Sequence, residues 1–190
     1  MCIRDSYYVI AHFHYVVAPG TIFAIFAGVY YWYPKMTGRI MSEFWGRVHF
    51  WSSLIFMNLI FMPMFAQGMA GMSRRMSDGG ATYALANPDN ADVGGALSDT
   101  IMGLNVSISA AAWAMLLAQI PFIINLFWSV KYGKKVESDN PWRATTLEWE
   151  TPTPPPHGNF TKEIKVYRDP YEYSVPGAKE DFTPQAQPSR

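Results

Sequence analysis

Residues 6–34 read SYYVIAHFHYVVAPGTIFAIFAGVYYWYP, a run of 29 residues without Asp, Glu, Lys or Arg. The hydrocarbon core of a bilayer is about 30 Å thick, and a helix of roughly 20 residues crosses it. The run is therefore long enough to span a membrane. It is too long for the apolar core of a signal peptide, which has about 7–15 residues. We interpret it as a transmembrane helix of the mature protein.

Two further uncharged runs follow, at residues 48–73 and 100–130. Three such runs in 190 residues exclude a soluble enzyme, because a soluble domain of this size rarely carries them. The net charge of zero argues against a nucleic-acid partner, and the single cysteine, Cys2, excludes a disulfide framework. The sequence thus predicts an all-α integral membrane protein with three transmembrane helices, at about 6–33, 44–68 and 100–130.

The distribution of basic residues predicts the orientation of these helices. Six of them lie near the membrane in the first connection and after the third helix, the side that the positive-inside rule assigns to the cytoplasm: Lys35, Arg39, Arg47, Lys131, Lys134 and Lys135. We expect residues 5–131 to form the transmembrane part, with residues 79–99 as an outer loop. Residues 132–190 would form a polar cytoplasmic tail. This tail is rich in proline, so we expect it to be extended and to depend on partners.

The sharpest local feature is the pair His12 and His14 in the outer half of the first helix, where polar side chains are costly and usually functional. At about 100° per residue, positions i and i+2 point roughly 200° apart. The two imidazoles therefore leave opposite faces of the helix and serve two separate partners. One possibility is two haems, since imidazole is a common axial ligand of haem iron. The alternative is a transporter in which both histidines form hydrogen bonds or line a proton path.

Charged residues at the outer rim form the second feature. Arg74 and Arg75 suit lipid phosphate, or the carboxylates of haem propionates, because the guanidinium group matches both. Asp5 either binds a hard divalent cation or caps the first helix, and a single carboxylate does not decide between them. The other two histidines, His49 and His157, are expected to be structural.

The stretch from Asp5 to Val16, which contains HFH, resembles helix ten of subunit I of the haem-copper terminal oxidases. Later segments are similar to further signatures of that family in the same order: Asn58-x-x-Phe61-x-Pro63, Gly68-x-x-Gly71-Met72, Arg74-Arg75, and Asn140-Pro-Trp-x-x-x-Thr-Leu-Glu-Trp149 followed by Pro154 to Pro156. The resemblance covers roughly residues 5–160. It implies that the three spans are helices ten to twelve and that the chain is the C-terminal part of the catalytic subunit.

The resemblance also implies site roles. His12 would ligate the iron of the high-spin haem, where dioxygen is reduced, and His14 would ligate the iron of the low-spin haem. Arg74 and Arg75 would hold haem propionates, and Asp5 would belong to a magnesium or manganese site. The haems are expected to be haem A. The family passes electrons from a reduced donor to dioxygen and pumps protons, so the implied partners are oxidase subunits II and III, cytochrome c, dioxygen and membrane lipid.

The chain departs from the family pattern at its start, where Arg4 stands in place of a magnesium-binding histidine. We interpret residues 1–4 as a non-native scar, which leaves the cation site at Asp5 incomplete. The histidines that bind copper lie in the missing N-terminal part of the subunit, so the chain alone is expected to be inactive. The resemblance favours a cytochrome c oxidase in a bacterial inner membrane. A quinol-oxidising member, or a non-enzymatic transporter or assembly module, remains the alternative.

Overall fold

The computed structural model describes residues 3–77, 91–172, 177 and 183–188, and for residues 91–103 it describes the backbone alone. Its helices are α1 (Tyr7–Val17), α2 (Ala24–Thr37), α3 (Glu43–Met69), α4 (Ala91–Leu117) and α5 (Ile120–Tyr132). Two short strands, β1 (Arg39–Ile40) and β2 (Lys134–Lys135), pair in antiparallel fashion. The pairing places the first connection beside the start of the tail, as expected of two segments on one side of the membrane.

Three segments are long and apolar enough to cross a membrane, Tyr7–Thr37, Glu43–Met69 and Leu104–Tyr132, which confirms the predicted helical membrane fold. The first consists of α1 and α2, joined by a wider π-helical segment, Ala18–Phe23. Pro19 lies in this segment, and its lack of an N–H explains why the regular α-helical ladder is interrupted there. Pro63 lies within α3 without ending it.

The third helix differs from its prediction in two respects. It begins at Ala91, so residues 91–99, which we expected in an outer loop, are helical. The remainder of that expected loop, residues 79–90, lies outside the described residues. The helix is also broken at Ala118 and Gln119, directly before the turn that contains Pro121. A proline in the first turn of a helix is favourable because its missing N–H is not needed there.

The chain divides into two compact units. The first consists of Met1–Ala27 and Glu43–Ile124, and the second of Gly28–Ser42 and Asn125–Arg190. In the first unit α3 packs against both α1 and α4. Ile60 of α3 meets Ile108 and Ala111 of α4 in a small apolar core, which Phe61 and Met64 extend. This packing fixes the face that α3 presents to its neighbours.

Polar side chains within the first unit are paired with one another. The ring nitrogen Nε2 of His49 lies 3.0 Å from Oε1 of Gln119, and the amide of Gln119 donates to Oγ of Ser53 at 3.2 Å. Gln67 donates to Oδ1 of Asn105 at 2.7 Å. Such pairs offset the cost of burying polar groups at membrane depth. They give His49 the structural role expected from the sequence, whereas His157 is exposed.

The second unit contains the tail, which has little regular secondary structure but is anchored within the chain. Lys35 is buried, and its ammonium group donates to the backbone oxygen atoms of Asp139 and Thr151 at 2.8 and 2.6 Å and to Oγ1 of Thr153 at 3.2 Å. The ring of Trp149 is also buried, with its centroid 5.3 Å from the same nitrogen. These contacts hold the segment within its own unit, and its dependence on partners stays a prediction.

Candidate functional site

Helix α1 carries the histidine pair on a regular α-helical backbone, which confirms the conformation expected from the sequence. Ser6 caps this helix, since its hydroxyl oxygen accepts a hydrogen bond from the N–H of Tyr8 at 3.3 Å. The alternative that Asp5 is the cap was therefore wrong. A serine at this position satisfies one of the four N–H groups that an α-helix leaves free at its start. The cap fixes the register of α1 and with it the directions of His12 and His14.

His14 faces α3 and is held by two contacts. Its Nδ1 lies 2.7 Å from the carbonyl oxygen of Ile10, one turn earlier. Because a carbonyl can only accept, Nδ1 carries the hydrogen, and the neutral imidazole keeps its lone pair on Nε2. The ring stacks on Phe61 of α3, with centroids 4.5 Å apart and planes 13° apart. Histidine ligands of metals commonly use their second nitrogen in this way, so His14 suits an iron bound at Nε2.

His12 lies on a different side of the same helix and is exposed in the chain, as is the intervening Phe13, half of whose surface is accessible. Ala11 beside it is fully buried. The two histidines thus lie on different sides of α1, as the helical period requires. The ring of His14 packs on α3, and the ring of His12 is directed away from that contact. The described residues contain no group of three or more His, Cys, Asp or Glu side chains that could hold a metal ion. Because the two rings leave the helix on different sides, they cannot both bind one metal ion.

The start of α1 is joined to the segment after α3, which brings the arginine pair close to the histidine helix. Ser6 and Ser73 form an antiparallel bridge, and the N–H of Tyr7 donates to the carbonyl oxygen of Met72 at 3.0 Å. The side chain of Arg74 donates from Nε to Oδ1 of Asp5 at 2.9 Å, and its backbone N–H donates to the Asp5 carbonyl oxygen at 3.1 Å. The carboxylate predicted to bind a cation is thus an ion-pair partner of Arg74.

Arg75 adopts a left-handed backbone conformation with φ of 63° and has an exposed side chain. This conformation is uncommon in residues other than glycine and costs of the order of 1–3 kcal/mol. The guanidinium of Arg74 uses one of its five N–H donors in the bond to Asp5.

The sequence analysis did not predict which residues of α3 pack against α1. At Gly68 the two backbones lie close together, because a Cβ atom built there would lie 2.1 Å from the backbone nitrogen of Tyr8. The hydroxyl of Tyr15 donates to Oδ1 of Asn58 at 2.6 Å. Gly68, Asn58 and Phe61 all belong to segments that stand out as signatures in the sequence. Their spacing of three and seven residues along one helix was the available signal for a shared face.

The site and fold define a helical membrane protein that presents one imidazole on each of two sides of a span, with an arginine pair close to the start of that span. Residues 1–91 match the family model described as Cytochrome C and Quinol oxidase polypeptide I. The chain belongs to this family, which confirms the resemblance found in the sequence.

Curated relatives match nearly the whole chain. It is 42% identical over 98% of its length to the alternative cytochrome c oxidase subunit 1 of Bradyrhizobium diazoefficiens. It is 42% identical over 91% of its length to cytochrome c oxidase subunit 1 of Synechocystis sp., and 37% identical over 99% to the probable cytochrome c oxidase subunit 1-beta of Nocardia farcinica. The chain spans only 28–30% of the length of these relatives.

Proposed function

We propose that this chain is the C-terminal part of the catalytic subunit of a respiratory terminal oxidase. The complete subunit would pass electrons from cytochrome c through two haems to dioxygen, reduce it to water and pump protons. The observation that carries the proposal is the placement of His12 and His14 on two sides of α1, with Nδ1 of His14 bonded to a carbonyl and Nε2 left as the ligating atom. The similarity to bacterial cytochrome c oxidase subunits supports it.

Each site residue then has a definite task. His14 holds the iron of the low-spin haem and His12 the iron of the high-spin haem. Arg74 and Arg75 neutralise propionates at the outer rim, where the Asp5 carboxylate orients Arg74 through the 2.9 Å bond. When bound, the haems, of the A type, supply electron transfer and, together with copper, the reduction of dioxygen. The role of Asp5 in a magnesium or manganese site requires further ligands from outside the described residues.

The remaining parts of the enzyme lie outside this chain. The copper-binding histidines would come from the N-terminal part of the subunit, and oxidase subunits II and III, cytochrome c, dioxygen and lipid would be its partners. We place the protein in the bacterial inner membrane, because the similar relatives are bacterial. The C-terminal tail would face the cytoplasm, since the connection containing β1 and the segment containing β2 carry the basic residues near the membrane. On this view the isolated chain is inactive.

Spectra of haem-loaded histidine variants of the complete oxidase test the proposal. His14→Ala should remove the low-spin haem signal and leave the high-spin one, and His12→Ala should do the reverse. His157→Ala is the matched control, because this histidine is exposed in the tail, and it should leave both signals unchanged. Identical spectral losses in the first two variants would contradict separate ligation. Haem signals that persist in both would refute the assignment of these histidines as ligands, whereas absence of any haem signal in the parent protein would favour a module that binds no haem.

The electron donor is tested separately. We favour cytochrome c, because the similar relatives are named cytochrome c oxidases, although the family description also includes quinol oxidases. The purified complete enzyme should consume oxygen with reduced cytochrome c as donor. Turnover with a quinol and none with cytochrome c would refute this choice while leaving the haem ligands untouched.

A further inference from the structure

One face of α3 packs against α1. Asn58, Phe61, Phe65 and Gly68 are spaced by three, four and three residues, so they share a single face of the helix. The last of them contacts the backbone of Tyr8, as described above. Phe65 meets the ring of Tyr8 edge-on, with centroids 4.9 Å apart and an angle of 73°. Phe61 is the member of this face that stacks on an imidazole.

Three contacts together restrict the orientation of His14. The bond from Nδ1 to the carbonyl oxygen of Ile10 fixes the direction of the side chain along the helix. Rotation of the ring about its bond to Cβ is limited by Phe61, whose plane is within 13° of the imidazole plane, and by Phe13, whose centroid lies 4.3 Å away at 61°. The direction of Nε2 and the plane of the ring are thus both defined before any ligand is bound.

Phe61 is itself held in place. It packs against the core of Ile60, Ile108 and Ala111, in which α3 meets α4. A ring that is packed on one side by a neighbouring helix cannot turn without disturbing that core. The orientation of the imidazole is therefore tied to the packing of α3 and α4, although His14 itself lies on α1.

We propose that Phe61 is a positioning residue that sets the plane of the His14 imidazole and thereby tunes the low-spin haem. This inference rests on the proposed function, in which His14 is the axial ligand. The groups that orient a ligating histidine alter the electronic properties of its metal, because the orbitals of the ring overlap with those of iron to a degree that depends on the ring plane. A flat aromatic face parallel to the imidazole fixes that plane, whereas an aliphatic side chain of similar volume does not.

The test uses the complete oxidase and electron paramagnetic resonance of the oxidised low-spin haem. Phe61→Leu removes the planar face. We expect the low-spin haem to remain bound, with shifted or broadened g values and a shifted midpoint potential. Phe61→Tyr keeps the face and should retain the parent spectrum. Phe65→Leu is the matched control, because it changes the same interface at the rings of Tyr8 and Tyr15, whereas Phe61 is the residue that stacks on His14, and it should leave the g values unchanged.

Unchanged g values and potential in Phe61→Leu would overturn the proposal, as would equal shifts in Phe61→Leu and Phe65→Leu. If Phe61→Leu does not assemble, Phe61→Met provides the same comparison, because it keeps most of the volume without a planar face. The parallel variant His14→Ala separates the two levels of inference. A low-spin signal that survives His14→Ala refutes the ligand role, whereas loss of that signal together with an unaltered Phe61→Leu spectrum refutes only the positioning role.

Discussion

At Gly68 the backbone of α3 lies close to the backbone of α1, and the substitution Gly68→Ala tests whether this close contact holds the histidine helix in place. The added Cβ would lie 2.1 Å from the nitrogen of Tyr8 and 2.6 Å from its Cα. Ordinary contact between non-bonded heavy atoms begins at roughly 3.5 Å, so the two backbones must separate locally by about 1.4 Å. The obstacle is backbone, which cannot move aside as the end of a flexible side chain can.

The energetic consequence has two opposing parts. Alanine is favoured over glycine inside a helix by about 1 kcal/mol, which on its own would stabilise the chain. Overpacking against a fixed neighbour costs about 1–3 kcal/mol, and the short distance to Tyr8 points to the upper part of that range. We therefore expect Gly68→Ala to destabilise the chain by about 2 kcal/mol.

Gly20→Ala is the matched control. A Cβ at Gly20, in the π-helical segment of the first span, would meet no heavy atom of the chain within 4 Å. This variant should be neutral or slightly stabilising, because the propensity gain is not opposed by a clash. The assay is unfolding of the purified chain in detergent micelles by increasing SDS, followed by the helical circular dichroism signal. The reasoning is refuted if Gly68→Ala is as stable as the parent chain, or if both variants change stability in the same direction.

Three further substitutions test other contacts. Lys35→Met leaves two backbone carbonyl oxygens without their charged donor, and we expect the free energy of unfolding to fall by about 2–3 kcal/mol. Limited proteolysis of the tail should then be faster, and an unchanged cleavage rate would contradict the anchoring role. Tyr15→Phe removes the hydrogen bond to Asn58 and should cost about 1 kcal/mol in the SDS titration; a neutral effect would show that this bond does not stabilise the interface. Asp5→Asn removes the ion pair with Arg74. Because 68% of the Asp5 side chain is exposed, we expect the free energy of unfolding to fall by less than about 1 kcal/mol, and by less still at high salt. A larger loss of stability that does not depend on salt would be inconsistent with a solvent-exposed ion pair.

Much of the membrane architecture could be predicted from the sequence, because hydropathy is a local property. An uncharged run of 29 residues must satisfy its backbone hydrogen bonds within itself in lipid, so its helical state follows from composition and length. The break at Ala118 and Gln119 was not predicted, although Pro121 marked the region. The early start of the third helix at Ala91 was not predicted either, because the charged and small residues there lower the hydropathy below that expected of a membrane span.

The sequence alone also determined that His12 and His14 point to different sides of the span, since the helical period fixes the angle between positions i and i+2. Only the tertiary structure decided which of the two faces α3, and that Phe61 stacks on it. The pairing of Asp5 with Arg74 across 69 positions was likewise decided only there. Periodicity acts within one helix and is readable from its residues, whereas a contact between distant segments depends on which faces meet and how closely their backbones approach.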